Sequence, residues 1–194
     1  MGRIRMATLA DTGALLELYA PYILTTCISF EYTVPTLEEY RERIAAISRE
    51  YPYIVYEEGG RLLGYAYAHR YLERIAYSWD VEVSIYLAPE AQGRGVGKRL
   101  YAVLEELLQL QQVKNLYACI TGDNYHSIAL HQSLGYKLVG TFSKAGFKQG
   151  RWLDVVWLEK AVASKLEAPQ PLVPFFRLPA QQIEKVLERV NKQA

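Results

Sequence analysis

Three glycines, Gly93, Gly95 and Gly97, stand among Arg94, Lys98 and Arg99, directly ahead of an apolar periodic run. A glycine-rich turn that opens a helix is an anion site, because the first helical N–H groups have no partner inside the helix and the macrodipole adds partial positive charge there. Missing side chains let the backbone approach the ligand, and the three cations add charge, so phosphate or pyrophosphate is the natural guest. Two common phosphate motifs fail. The dinucleotide fingerprint G-x-G-x-x-G, laid on Gly93 and Gly95, requires glycine where Lys98 stands. The nucleoside-triphosphate P-loop requires glycine five residues before Gly97 and Ser or Thr after Lys98, where the chain has Gln92 and Arg99. What remains is Q-x-x-G-x-G, from Gln92 to Gly97.

The flanking segments must position that turn. Before it, Val81, Val83, Ile85 and Leu87 alternate with Glu82, Ser84 and Tyr86, the period-two pattern of a half-buried strand. After it, Val96, Leu100, Val103, Leu104, Leu107 and Leu108 form the stripe of an amphipathic helix. The glycines therefore lie in a strand-to-helix turn.

Elsewhere, Arg3 to Met6 reads as a short strand, and Thr8 with Asp11 as a helix start with Leu15, Leu16 and Tyr19 on its apolar side. Thr36 with Glu39 is a capping box opening a helix to about Glu50, stopped by Pro52. Tyr53 to Tyr56 and Leu62 to Ala68 are predicted as a hairpin across Glu58-Gly59-Gly60. Leu116 to Thr121 is the next strand, then a helix from Asn124 to Gly135, and a closing pair, Tyr136 to Ser143 and Trp152 to Lys160, around Gly146 to Gly150. A strand on each side of a helix is a βαβ unit, so the strands around Val83 and Ala118 are expected to be parallel neighbours. The order β-α-α-β-β-β-α-β-α-β-β describes an α/β mixed sheet with helices on both sides. From Ala161 the character changes: four prolines, then Ile183, Val186, Leu187 and Val190 at helical spacing. The expected division is a domain over residues 1–162 and a proline-rich linker with an amphipathic helix over 163–194, the helix docking on its own domain.

Bulk properties bound the rest. The chain has 194 residues, 51% hydrophobic and 22% charged, enough for one well-cored globular domain. A formal charge of +1 without a basic run argues against nucleic-acid binding driven by phosphate contacts. Neither a secretory leader nor a membrane span is legible. Two distant cysteines fit a reducing cytoplasm, and His69, His126 and His131 do not make a metal set.

Element order and three further motifs make a resemblance specific: Val81-Glu82-Val83-Ser84-Ile85-Tyr86-Leu87, Leu130-His131-Gln132-Ser133-Leu134-Gly135-Tyr136, and Gly146-Phe147-Lys148-Gln149-Gly150-Arg151-Trp152-Leu153-Asp154, with Phe30-Glu31 as an aromatic-acid pair in a substrate loop. Over residues 3–160 the chain resembles the GNAT superfamily, in the branch of phosphinothricin acetyltransferase, which also acetylates methionine sulfoximine and methionine sulfone.

The resemblance implies an acyl-CoA N-acyltransferase fold with acetyl-CoA as co-substrate. Ile85, Tyr86 and Leu87 would meet the pantetheine arm, Gly93, Arg94, Gly95, Val96, Gly97 and Lys98 the pyrophosphate, with Asn124 and Ser133 completing the cofactor side. Asn124 is equally suited to a helix N-cap. Phe30, Glu31, Tyr77, Glu82, Val83, Ser84 and Lys148 would border a small amino-acid-like amine. Glu82 would be the general base, since an α-amino group with pKa ~8 is largely protonated at neutral pH; its plainer role is a solvated strand carboxylate. Asp80, two residues earlier on the same face, would raise the pKa of Glu82 or alter substrate choice. His131 would either protonate the departing thiolate or pack as a hydrogen-bonded helix residue. A cytoplasmic homodimer is implied. The competing expectations are a non-catalytic acyl-CoA sensor and a protein or peptide acetyltransferase.

Overall fold

The computed structural model describes residues 2–165 and 167–192. The elements run β1 (Arg3–Met6), α1 (Thr12–Leu24), α2 (Leu37–Glu50), β2 (Tyr53–Glu58), β3 (Arg61–Arg70), β4 (Asp80–Leu87), α3 (Val96–Leu110), β5 (Asn115–Thr121), α4 (Tyr125–Ser133), β6 (Lys137–Lys148), β7 (Arg151–Ala161) and α5 (Ala180–Lys192). The first eleven follow the expected order. Local chemistry sets several boundaries. The Thr36 hydroxyl accepts from the Glu39 N–H while the Glu39 carboxylate accepts from the Thr36 N–H, closing the capping box of α2. The Thr8–Asp11 box opens a short 3-10 turn ahead of α1 rather than α1 itself.

Seven strands form one mixed sheet in the order β1-β2-β3-β4-β5-β7-β6. Among the described residues only β4 and β5 pair in parallel, as the β-α-β connection through α3 allows. Helices α3 and α5 cover one face over an aliphatic core of Ile54, Val81, Leu100, Leu104, Leu107 and Val186. Helices α1 and α2 cover the other over Leu15, Tyr19, Tyr40, Tyr53 and Tyr65.

The closing pair differs from expectation. Strand β6 runs on to Lys148 and the turn is only Gln149-Gly150, while Gly146 lies inside β6 opposite Leu153, past an irregularity in the register. The reason is a contact distant in sequence: the Phe30 ring lies so close that a Cβ on Gly146 would stand 2.2 Å from it. Glycine here answers to close approach rather than to a turn.

The C-terminal segment packs on the same body. Trp79 Nε1 donates to the Gln170 carbonyl at 2.7 Å, and Val186 and Val190 are buried in the aliphatic core. The Asn191 amide pairs with both backbone groups of Ile4, each at 2.8 Å, so a side chain completes the outer edge of β1. No helix among the described residues is long and apolar enough to cross a membrane.

Candidate active site

Strands β4 and β5 pair over only three residues, Asp80 with Asn115, Val81 with Leu116 and Glu82 with Tyr117. Beyond that, β4 stays on β3 to Leu87 and β5 stays on β7 to Thr121, so the two part. The Ala88 N–H donates to the Leu63 carbonyl, which fixes the hydrogen-bonding phase of the β3–β4 ladder: Glu82, Ser84 and Tyr86 bond towards β3, and Ile85 and Leu87 turn their backbone groups to the gap. Buried backbone groups require partners. At Leu87 the Tyr22 hydroxyl supplies them, donating to the carbonyl at 2.5 Å with the N–H 3.3 Å away. Ile85 is left facing a small cavity of about 60 Å³, bordered also by Tyr86, Ile120, Asn124 and Ser127.

At the wide end of the gap lies the glycine turn. Gly93 and Gly95 have φ of 71° and 78°, the left-handed region, and a Cβ on either would meet nothing within 4 Å, so the turn presents bare backbone to open space. Gly95 caps α3, whose first turn holds no acidic residue. This is the geometry of an anion cradle. The charges are arranged differently from expectation. Arg94 forks onto the Glu58 carboxylate at 2.8 and 3.0 Å, fastening the turn to the β2–β3 hairpin. Arg99 lies over the Tyr56 ring and reaches the Gly2 carbonyl. Lys98 is exposed and makes no side-chain bond among the described residues, so it is the cation left at the cradle. Val96 and Gly97 are buried, and a Cβ on Gly97 would stand 3.0 Å from Leu130 of α4, so this third glycine serves helix packing.

Three more expected cofactor or catalytic side chains have defined partners. The Asn124 side chain accepts from the Ser127 N–H at 3.2 Å, making it the N-cap of α4 on the rim of the cavity. Ser133 is exposed beyond the cavity and donates to the Leu130 carbonyl of its own helix, as helix serines do. His131 is 2% exposed; its Nδ1 meets the Ser127 carbonyl and its Nε2 the Tyr101 hydroxyl, each at 2.7 Å. A carbonyl only accepts, so Nδ1 carries the proton and Nε2 accepts from the tyrosine. Burial also holds its pKa below the ordinary value. Both nitrogens are engaged, as in a packed helix histidine, and the ring and its Tyr101 partner also border the cavity.

Glu82 sits where the strands begin to part, on the face of the tyrosine-rich core. Burial pushes its pKa up, and His69, directly opposite on β3 with Nε2 4.0 Å from Oε1, pulls it back down. Asp80 has no part in this: its carboxyl, raised by its own burial, answers to Lys165 and Glu159. The raised base expected from a second carboxylate is therefore produced by desolvation. Cys119 of β5 faces the same space; although accessible, its thiol is pushed up to about 12 by its apolar surroundings and by Glu82.

The substrate-side residues divide. Ser84 shares the face of Glu82 and stands opposite Tyr67 on β3, whereas Val83 turns into the aliphatic core and offers only its backbone. The Tyr86 ring is clasped by Tyr19 and Tyr22, at 4.9 and 5.1 Å. Tyr77 abuts Tyr71, which stacks on Tyr117 at 4.3 Å. Glu31 accepts from Tyr19 and from Arg43 of α2, at 3.1 and 2.7 Å. Lys148, expected to touch substrate, is 4% exposed with Nζ on the carbonyls of Ile23 and Ser29 at 2.7 and 2.5 Å. It closes the end of α1 and pins the loop bearing Phe30 and Glu31 to β6. Sequence reasoning passed over Tyr22, Arg43 and His69 as site residues; only the period-two alternation of β3, placing His69 on the face of Tyr65 and Tyr67, hinted at one of them.

The acetyltransferase (GNAT) domain family matches residues 4–157. The phosphinothricin N-acetyltransferase of Streptomyces viridochromogenes is 34% identical over 88% of this chain and 91% of its own length. An L-methionine sulfoximine/L-methionine sulfone acetyltransferase of Salmonella typhimurium is 33% identical over 80% of this chain and 92% of its own. A GNAT superfamily phosphinothricin acetyltransferase from Sinorhizobium meliloti, solved in complex with AcCoA, superposes with a TM-score of 0.84 at 37% identity, over 87% of this chain and 93% of that one. A sheet split beside an open glycine cradle, together with these likenesses, has one conclusion: the chain belongs to the GNAT family of acetyltransferases.

Proposed function

We propose that the protein transfers acetyl from acetyl-CoA to the amino group of a small amino-acid-like substrate of the phosphinothricin, methionine sulfoximine or methionine sulfone type, by direct attack of the amine with Glu82 as general base. The observation that carries this is the position of Glu82: a carboxylate with raised pKa at the mouth of the gap, where an amine approaching from the tyrosine-lined side would meet a thioester held between the strands. A raised carboxylate pKa nearer the operating pH is what a general base needs.

The residues fit acetyl-CoA by their open donors. The backbone of Gly93 to Lys98 and the Lys98 ammonium suit the pyrophosphate, and the Ile85 backbone and the Asn124 rim suit the amides of the arm. On the substrate side, the Glu31–Arg43 pair, Ser84 and Tyr77 supply polar contacts to an amino acid, while Phe30 and Lys148 hold the loop in place. We also propose a cytoplasmic homodimer; its support is the likeness to the family and the apolar face of edge strand β6, where Leu138, Val139 and Phe142 are more than half exposed. Sedimentation of the purified chain as a monomer would reject the dimer.

The test is a panel of amines (phosphinothricin, methionine sulfoximine, methionine sulfone, common amino acids, polyamines) scored for CoA thiol release, with Glu82→Gln alongside. The substitution keeps shape and removes basicity, so kcat/KM is expected to fall ~10² to 10⁴ near neutral pH. Near wild-type activity in Glu82→Gln removes the base. Acetyl-CoA binding without thiol release on any amine points instead to a sensor, and acetyl found by intact mass on a protein points to a macromolecular acceptor.

A further inference from the structure

We propose that His69 is the proton relay of Glu82, receiving the proton that Glu82 takes from the attacking ammonium and delivering it to solvent. The inference rests on Glu82 being the base. The reaction then has a fixed balance: an ammonium and a thioester give an amide, a thiol and one proton. That proton must leave a part-buried carboxyl in every turnover, or the base is lost to the next one.

The sheet places one imidazole for this task. His69 and Glu82 are cross-strand partners in a hydrogen-bonded pair of the β3–β4 ladder, so their side chains rise side by side from one face. His69 Nδ1 stands 3.1 Å from the Arg70 carbonyl, which can only accept, so this bond is made by the tautomer with its hydrogen on Nδ1. The neutral ring therefore turns an unprotonated Nε2 to the carboxyl, 4.0 Å from Oε1. One bridging water or a small rotation spans that distance. In the handover the O–H bond of protonated Glu82 breaks and an N–H bond forms at Nε2, leaving imidazolium beside carboxylate. The Nε2 proton then passes to water or buffer. The exit runs outward: the Glu82 side chain is 23% exposed and that of His69 is 37%.

Among the described residues no other neighbour can substitute. The groups facing the pair are Asp80 and Ser84 on β4, Tyr67 on β3, Tyr71 beyond it, and Tyr117 and Cys119 on β5. Tyr67, Tyr71, Tyr117 and Cys119 are all pushed upward by desolvation, so they hold their own protons at neutral pH. Ser84 does not titrate in this range, and Asp80 is coupled to Lys165 and Glu159 rather than to Glu82. His131, the histidine singled out by motif, has both nitrogens engaged.

The test uses the full chain with His69→Asn, which can keep a donor near the Arg70 carbonyl but cannot carry a proton. In dilute non-imidazole buffer, kcat is expected to fall about tenfold, less than the ~10² of a group acting directly on substrate, with both KM values within about twofold. Added imidazole should restore kcat. Carbon-13 titration of the Glu82 carboxyl should move to higher pH, because the cation that lowered it is gone. Wild-type kcat in dilute buffer, a loss that imidazole leaves untouched, or an unmoved Glu82 titration overturns the relay while Glu82 stands. Failure of the base itself is read separately, as near wild-type activity in Glu82→Gln.

Discussion

Against α3 the sheet presents Ile54, Ala66, Ala68, Val81 and Val83; against α1 and α2 it presents Tyr53, Tyr65, Tyr67 and Tyr86. The strands' side chains named on the first face carry no polar atom, although α3 and its surroundings bring Tyr101, Gln111 and Tyr136 into the same core. On the second, each phenol brings a hydroxyl that must find a partner out of water. The Tyr40 hydroxyl lies 3.1 Å from that of Tyr65 and 3.5 Å from that of Tyr53, and the Tyr19 hydroxyl 2.8 Å from Ser29 Oγ. The rings of Tyr53, Tyr65 and Tyr67 stack with centroids 4.8 to 6.2 Å apart. The face packed under the glycine turn is mostly aliphatic, and the opposite face, which carries Glu82, is a layer of hydrogen-bonding rings.

The sharpest way to break this comparison is at the edge of the aliphatic face. Gly95→Asp sets a carboxylate on the cradle, and one unit of like charge at about 4 Å and an effective dielectric near 20 is worth ~4 kcal/mol. Acetyl-CoA affinity measured by calorimetry should fall at least about a hundredfold, while circular dichroism stays native because a Cβ there meets nothing and the left-handed φ of 78° costs a residue only ~1 to 2 kcal/mol. Unchanged affinity in the folded variant would move the phosphate site elsewhere.

Stability should separate the faces next. Leu107→Ala leaves a hole in the close-packed aliphatic face and should cost ~2 to 5 kcal/mol in denaturant unfolding, whereas Tyr65→Phe removes one shared hydroxyl from the ring layer and should cost ~1 kcal/mol. Equal losses would mean that the hydroxyl network, not ring burial, holds the second face.

A smaller effect concerns how α1 is clipped down. The Arg5 guanidinium forks onto Asp11 at 2.8 Å and holds its carboxyl at about 2, below the ordinary 3.8. A depressed carboxyl pKa adds stability above the ordinary value that is lost as pH falls through the depressed one. Between pH about 4 and about 2 the wild type should therefore lose up to ~1 kcal/mol that Asp11→Asn does not. Parallel acid unfolding curves would show the pair to be idle.

What could be read from the chain was what neighbours in sequence decide. The Thr36–Glu39 box, the alternation through β4 and the stripe of α3 are local, and each gave its element and its inward face. Glu82 and the glycine turn were legible for the same reason. Partners across strands were not: His69 opposite Glu82 depends on the β3–β4 register, and Tyr22 on Leu87 depends on the docking of α1. Charges misled most. Arg94 and Lys148 have the types expected of ligand contacts, but the fold had already matched them with Glu58 and with two carbonyls.

The three-residue seam between β4 and β5 has a consequence for how the protein lives without its ligand. Halves β1–β4 and β5–β7–β6 share few cross-strand bonds and are joined mainly by the core under α3, so a molecule bound across the seam would add the bonds that a missing strand would have made. A ligand that binds only the closed form adds RT ln(1 + [L]/Kd), about 2.7 kcal/mol at a hundredfold excess over Kd. Amide exchange at Ile85 and Cys119, whose backbone groups face the gap, would register that coupling as slowed opening. Resistance to proteolysis would then rise and fall with the supply of acyl donor, making the molecule's lifetime a gauge of its own feedstock.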